Sequence, residues 1–198
     1  MATRPVVCLA GFAAVGKSTV GKLLAKKLKL KYVSGGDALK AVAKEMGFKP
    51  GGAGWWETPN GVKFLLIRGQ DPSFDRKVDK KLLQLCKKGG VVVDSWVMPW
   101  LCDKNAFKVW LTADEITRAR RMAERSKLSI PKAMKLLKQR DRKSARIYYR
   151  LYRIKIGEDF SPFHLIVDTS RMKPVEVAEV IAETAKNYFT LTIRKRRR

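Results

Sequence analysis

The chain has 198 residues, 45% of them hydrophobic, with 14 glycines and 8 prolines, which fits one globular domain and excludes a fibrous repeat or wholesale disorder. Its 43 lysines and arginines against 18 acidic residues give a formal charge of +25, so polyanionic company is expected: nucleotides, nucleic acid or an acidic surface. The three cysteines, Cys8, Cys86 and Cys102, have no CxxC spacing, and no apolar run reaches the roughly eighteen residues of a membrane span; a soluble protein of a reducing cytoplasm, with no leader and no membrane segment, is expected.

Strand and helix signals alternate along the chain. Val6 to Ala10 predicts a strand, and Lys17 to Leu30, with Val20, Leu24 and Leu28 at helical spacing, predicts a helix behind it. Lys31 to Ser34 reads as a second strand, followed by a helix from about Asp37 to Met46 that Gly47 closes. Residues 47–73 carry Gly51-Gly52, Gly54, Pro59-Asn60-Gly61 and Pro72, and read as an irregular excursion whose only periodic piece is Val62 to Ile67. Phe74 to Lys88 is predicted helical, Val91 to Asp94 a buried strand ending in a carboxylate, and Ala106 to Leu111 a further strand. From Asp114 a basic helical region runs past Pro131, Leu165 to Asp168 is the fifth strand, and Pro174 to Phe189 is the last helix. Short β-branched strands alternating with helices call for a five-stranded parallel sheet with helices on both faces, a three-layer α/β sandwich. Right-handed crossovers bring the loops after Ala10, Ser34, Asp94 and Leu111 to one edge, where a ligand crevice is expected.

Gly11-Phe12-Ala13-Ala14-Val15-Gly16-Lys17-Ser18 matches G-x-x-x-x-G-K-[ST] between a predicted strand and a predicted helix. Glycines let such a loop curl until successive N–H groups point at phosphate oxygens, at the positive end of the helix dipole. Residues Gly11 to Thr19 are therefore candidates for holding ATP, with Lys17 on the β- and γ-phosphates and Ser18 on Mg²⁺. Asp94, at the end of a buried strand, has the position of a second Mg²⁺-side ligand. A helix-capping aspartate is the alternative there.

Together these residues resemble the nucleoside monophosphate kinases of the P-loop NTPase fold, specifically the archaeal-type cytidylate kinases, over most of residues 5–187. Ser34-Gly35-Gly36-Asp37-Ala38-Leu39-Lys40 looks like the S-x-G-[DE]-x-x-[RK] segment that opens the family's monophosphate-binding helix. Phe74-Asp75 and Asp79, followed by Lys87 to Asp94, are similar to its acidic helix, glycine turn and central strand; Leu165 to Ser170 is similar to a strand near its end. Lys40 stands where an arginine is usual, and Ser95-Trp96 where many relatives have Gly-Arg. The resemblance implies a kinase moving the γ-phosphoryl group of ATP, with Mg²⁺, to CMP or dCMP. It makes Ser34, Gly36, Asp37, Lys40, Asp75 and Asp79 the monophosphate-side residues; Trp96, the tryptophan nearest the expected crevice, is a candidate to stack on a base there. One domain over residues 1–189 is implied, with 37–88 as the monophosphate region and 114–160 as a basic helical lid; a monomer is expected.

Fifteen lysines and arginines lie between Arg118 and Lys155, against Glu124 and Asp141 alone. In the family this is the lid, whose arginines stabilise charge on the transferring group; Arg140, Arg146 and Arg121 are the catalytic candidates it implies. Most of the remaining cations read as a solvated face. Tyr148, Tyr149 and Tyr152 alternate with Arg146, Arg150 and Arg153, however, a pattern that also suits single-stranded nucleic acid. A nucleic-acid-associated adenylate kinase-like NTPase thus stays open beside the kinase, as does, more distantly, a small-molecule kinase. Residues 190–198, ending Arg194-Lys195-Arg196-Arg197-Arg198, read as a disordered basic tail. His164, the single histidine, is expected to pack; Trp55, Trp56 and Trp100 are expected to be buried.

Overall fold

Alternation within β1 (Val6–Ala10) sets the architecture of the computed structural model, which describes residues 4–103 and 105–196, the side chains of 192–196 excepted. Val7 and Leu9 point to one side of the sheet and Cys8 and Ala10 to the other, and all four are fully buried, so both faces need cover. On the first face α1 (Lys17–Leu28) and α8 (Pro174–Arg196) supply it, through Val20, Leu24, Val177, Ile181 and Ala185. On the second face lie α2 (Gly35–Glu45), α3 (Pro59–Gln70), α4 (Ser73–Lys88) and α5 (Met98–Leu101), around Leu39, Phe64, Val78, Leu82 and Met98.

The five strands, β1, β2 (Lys31–Ser34), β3 (Val91–Asp94), β4 (Phe107–Thr112) and β5 (Leu165–Asp168), are ordered β2-β3-β1-β4-β5 and pair in parallel throughout. Leu9 is in register with Asp94, and Ser34 with Asp94 on the other side. The carboxylate therefore stands between the phosphate loop and the start of α2. Helices α6 (Glu115–Ser126) and α7 (Ile130–Tyr152) pack into a hairpin over the segment expected to be the lid, with Pro131 in the first turn of α7, where its missing N–H costs nothing.

The stretch expected to be irregular is largely helical: a 3₁₀ turn covers Ala53–Glu57, and α3 follows over Pro59–Gln70. Pro59-Asn60-Gly61, read as a turn, is the first turn of α3. The Thr58 side chain caps it by accepting the Gly61 N–H at 3.2 Å, and Pro59 fits an N-terminal helical position. Gly61 is required for a packing reason, since a Cβ there would collide with the Trp55 carbonyl. Trp55 and Trp56 are buried against Phe64, as expected, and the half-buried Trp100 donates its ring N–H to Asp159 at 2.8 Å. His164 packs flat on Phe107 and accepts the Lys108 N–H at 3.0 Å.

At the far end α8 continues to Arg196, past Phe189, so the expected disordered tail is helical in backbone as far as it is described. Arg197 and Arg198 lie outside the described residues. No described helix is long and apolar enough to cross a membrane.

Candidate active site

The phosphate loop leaves β1 through Gly11, whose φ of 147° and contact with the Leu111 carbonyl leave no room for a side chain. Gly16, at φ 96°, caps α1 with no side-chain hydrogen bond, and the first turn of α1 has no acidic residue. The first N–H groups of the helix are thus left facing the loop, a ready anion site. Lys17 Nζ folds over the loop, donating to the carbonyls of Gly11 at 2.8 Å and Phe12 at 2.7 Å, and lies 5.4 Å from the centre of the Trp96 ring. Burial lowers the Lys17 ammonium to about 8; Arg140 and Arg118 add to the shift, while Asp94 and Asp141 oppose it.

Ser18 Oγ donates to Asp94 Oδ2 at 2.7 Å, and the Tyr32 hydroxyl donates to the same oxygen at 3.0 Å. Two hard oxygen donors side by side at the mouth of the phosphate loop fit Mg²⁺, which takes carboxylate and hydroxyl oxygens together with phosphates. Burial and the Asp94 charge together raise the Tyr32 phenol, so it stays a donor.

From here a cleft of about 420 Å³ runs to the acceptor side. Of the monophosphate-side candidates, Ser34, Gly36, Asp37, Lys40, Asp79 and Trp96 line it. Ser34 caps α2, accepting the Asp37 N–H at 3.2 Å, and Lys40 Nζ reaches Asp37 at 3.5 Å and the Gly52 carbonyl at 3.2 Å. Asp75 does not reach the cleft. It is enclosed within the core, where its carboxylate takes both an Nε bond at 3.0 Å and an Nη2 ion pair from Arg68, and Arg68 is the residue that lines the cleft. Asp79, one turn further along α4, accepts the Tyr152 hydroxyl at 3.0 Å; burial and then the Asp75 charge raise its carboxyl to about 7.

The lid places its arginines unequally. Arg140 lines the cleft with Ser144 and Tyr148, which follow it at four-residue intervals on one face of α7. Arg146 does not: six residues on from Arg140 it is rotated by about 240°, is exposed, and lines a separate cleft with Lys135, Gln139, Arg142 and Lys143. Arg121 is also outside the cleft. Its guanidinium grips Thr169, at 2.9 Å to the hydroxyl and 2.6 Å to the carbonyl, and that hydroxyl in turn donates to Val15 behind the phosphate loop.

Three cations that motif reading passed over line the cleft: Lys22, Arg68 and Arg125. Arg118, two helical turns before Arg125, does not line it. Arg118 bonds Asp141 at 2.6 Å and the Ala13 carbonyl at 3.3 Å, and Asp141 accepts the Ala13 N–H at 3.0 Å. Glu57 was missed as well. Nearly fully buried, it takes Arg140 at 2.9 Å, Arg125 at 3.0 Å and Ser126 Oγ at 3.1 Å, so the segment before α3 aims two lid arginines at the cleft.

One trough thus runs from the phosphate loop to Lys40, Arg68, Arg125 and Arg140. Comparison with known proteins shows the fold and the family. The solved shikimate kinase from Acinetobacter baumannii, in complex with shikimate, has the same fold, with a TM-score of 0.56 at 18% identity over 94% of this chain and 95% of that one. The cytidylate kinase of Pyrococcus horikoshii is 29% identical over 89% of this chain and 85% of its own length. That of Aeropyrum pernix is 31% identical over 86% of this chain and 93% of its own. The model of the cytidylate kinase-like family matches residues 6–171. On the phosphate loop, the lid and this match, the chain belongs to the cytidylate kinase-like family and is an ATP-dependent phosphotransferase.

Proposed function

We propose that the protein transfers the γ-phosphoryl group of ATP to CMP or dCMP, acting as a monomer. The observation that carries this is the single cleft joining Lys17, Ser18 and Asp94 at one end to Lys40, Arg68 and Asp79 at the other, all from one chain. Arg68 offers guanidinium donors and Asp79 a carboxyl acceptor on the same wall, a pairing suited to the carbonyl, ring nitrogen and amino group of cytosine. Trp56 and Tyr148 supply flat apolar surface beside them.

No side-chain nucleophile is needed. An oxygen of the acceptor phosphate attacks the γ-phosphorus in line, the bond to the β,γ-bridging oxygen breaks, and ADP and the nucleoside diphosphate leave. Lys17 and Arg140 supply positive charge where negative charge spreads in the transition state. Arg125 and Lys40 orient the acceptor phosphate, and the closed lid keeps water from competing with it. Mg²⁺, which Ser18 and Asp94 would hold, adds charge neutralisation on the donor phosphates when bound. A coupled assay with ATP against CMP, dCMP, UMP, AMP and GMP tests the reading: turnover of CMP or dCMP above the others is expected, and its absence overturns the assignment.

A second reading is favoured by the outer face of α7. There Lys135, Arg142, Lys143 and Arg146 line a cleft of about 400 Å³ with no acidic residue among its described lining. This face suits an RNA backbone, and a nucleic-acid-associated NTPase would use it. RNA retention at about 0.2 M salt without transfer to any monophosphate favours that reading over the first.

A further inference from the structure

Away from the cleft, three side chains from distant parts of the sequence meet on the second face of the sheet. Cys8 comes from the middle of β1, Cys86 from the last turns of α4, and Cys102 from just after α5; their sulfur atoms all lie within 4.8 Å of one another. Cys8 and Cys102 are buried and Cys86 is half-buried, so the trio has one opening to solvent. None of them lines the cleft. Among the described residues no further cysteine, histidine or carboxylate joins them.

A second feature of the same face concerns charge. Lys108 stands in register with Cys8 on the neighbouring strand, so the two side chains share a face. Lys108 is only 7% exposed, and its ammonium donates to the Cys102 carbonyl at 3.1 Å; among the described residues no carboxylate pairs with it. A buried ammonium without a counter-charge is costly. Three neutral thiols leave that charge uncompensated, whereas an anionic sulfur cluster compensates it.

We propose that Cys8, Cys86 and Cys102 form a three-sulfur site for a soft, thiophilic cation, and that Lys108 is its buried counter-charge. Soft thiolates select Cu(I) and Zn(II) among common ions. Three sulfurs with no fourth donor suit Cu(I), whereas structural Zn(II) sites are four-coordinate. A metal–sulfur distance near 2.3 Å needs a triangle of sulfurs about 4 Å on a side, a size that the 4.8 Å bound on their separations admits. On binding, three S–H bonds are replaced by three metal–sulfur bonds and three protons pass to solvent. Cu(I) with three thiolates then carries two negative charges, one of them offset by Lys108.

The test titrates the reduced, full-length chain with Cu(I) held by a competing chelator, oxygen excluded. One ion per chain is expected, with three sulfur neighbours by X-ray absorption, protection of Cys86 from alkylation, and a higher melting temperature. Two sulfur neighbours, nitrogen or oxygen neighbours, or an unchanged melting temperature would overturn the site. Cys86→Ser, at the half-buried corner, is expected to melt like the parent without metal and to bind Cu(I) at least about 100-fold more weakly; equal affinity overturns the proposal. Zn(II) binding as tight as Cu(I) overturns the three-coordinate assignment. Fewer than three free thiols in the denatured protein, prepared without reductant under air-free conditions, would show a disulfide instead and overturn it too.

Discussion

The buried carboxylate of Glu57 accepts a hydrogen bond from Arg140 at 2.9 Å, joining the 3₁₀ turn before α3 to the lid helix α7. Because Arg125 and Ser126 converge on the same carboxylate, the lid's charge at the cleft depends on one residue outside the lid. Glu57→Gln keeps the shape and removes the charge. We expect it to lower kcat/KM about 10²-fold through misplacement of Arg140 and Arg125, and to lower stability by about 1–3 kcal/mol. Steady-state kinetics beside a urea melt separates the two effects; unchanged kinetics would make Glu57 purely structural.

Lys17→Ala should lower kcat by about 10² or more with little loss of fold. Under the proposed function the Lys17 ammonium, lowered to about 8 by burial, is the form that meets phosphate. In the free enzyme kcat/KM for ATP should therefore fall as pH rises through about 8. In the saturated complex phosphate charge favours the ammonium, so kcat should hold to higher pH. A pH profile with no limb near 8 in kcat/KM counts against this role.

Asp79 offers a stability test. Its folded-state value of about 7 lies above the ordinary 3.8, so between those values the folded protein keeps a proton that the unfolded chain has lost. The contribution is present below about pH 4 and is lost as pH rises through about 7, on the order of 4 kcal/mol. Asp79→Asn should flatten that fall in urea melts from pH 4 to 8, while raising KM for the monophosphate. A variant as pH-sensitive as the parent would place the titration elsewhere.

Lys40→Ala should raise KM for the monophosphate about 10-fold or more, the worth of one charge-assisted hydrogen bond, and leave KM for ATP within about twofold. The reverse pattern would mean that the two subsites have been exchanged.

Asp94→Asn should raise the Mg²⁺ concentration needed for half-maximal rate, because Ser18 then faces an amide instead of a carboxylate. The same metal dependence in variant and parent would remove Asp94 from that role.

The sequence made the phosphate loop and the five parallel strands legible, because each rests on local signals: glycine spacing and β-branched runs. Residues 53–70 were opaque for an equally local reason. Pro59-Asn60-Gly61 is turn chemistry in isolation, and only the packing of Gly61 on Trp55 and the Thr58 cap make it a helix start. Of the lid arginines, Arg140 lines the cleft and Arg146 does not, a difference that only the helical phase of α7 makes visible. Once Arg140 faces the cleft, Ser144 and Tyr148 follow and Arg146 turns away. Asp75 and Arg68 show a further limit, since an ion pair buried between two helices leaves no mark in either helix's own pattern.

Asp141 already occupies the Ala13 amide, with Arg118 bridging the two. One N–H cannot serve two anions fully, so a donor phosphate that takes this amide displaces a carboxylate from it. Under the proposed function, ATP entry there would exchange one anion for another, and its observed affinity would reflect a difference between two associations, not the full strength of either. It follows that removing Asp141, an acidic residue beside an anion site, tightens or weakens nucleotide binding according to whether this competition outweighs the loss of Arg118's partner.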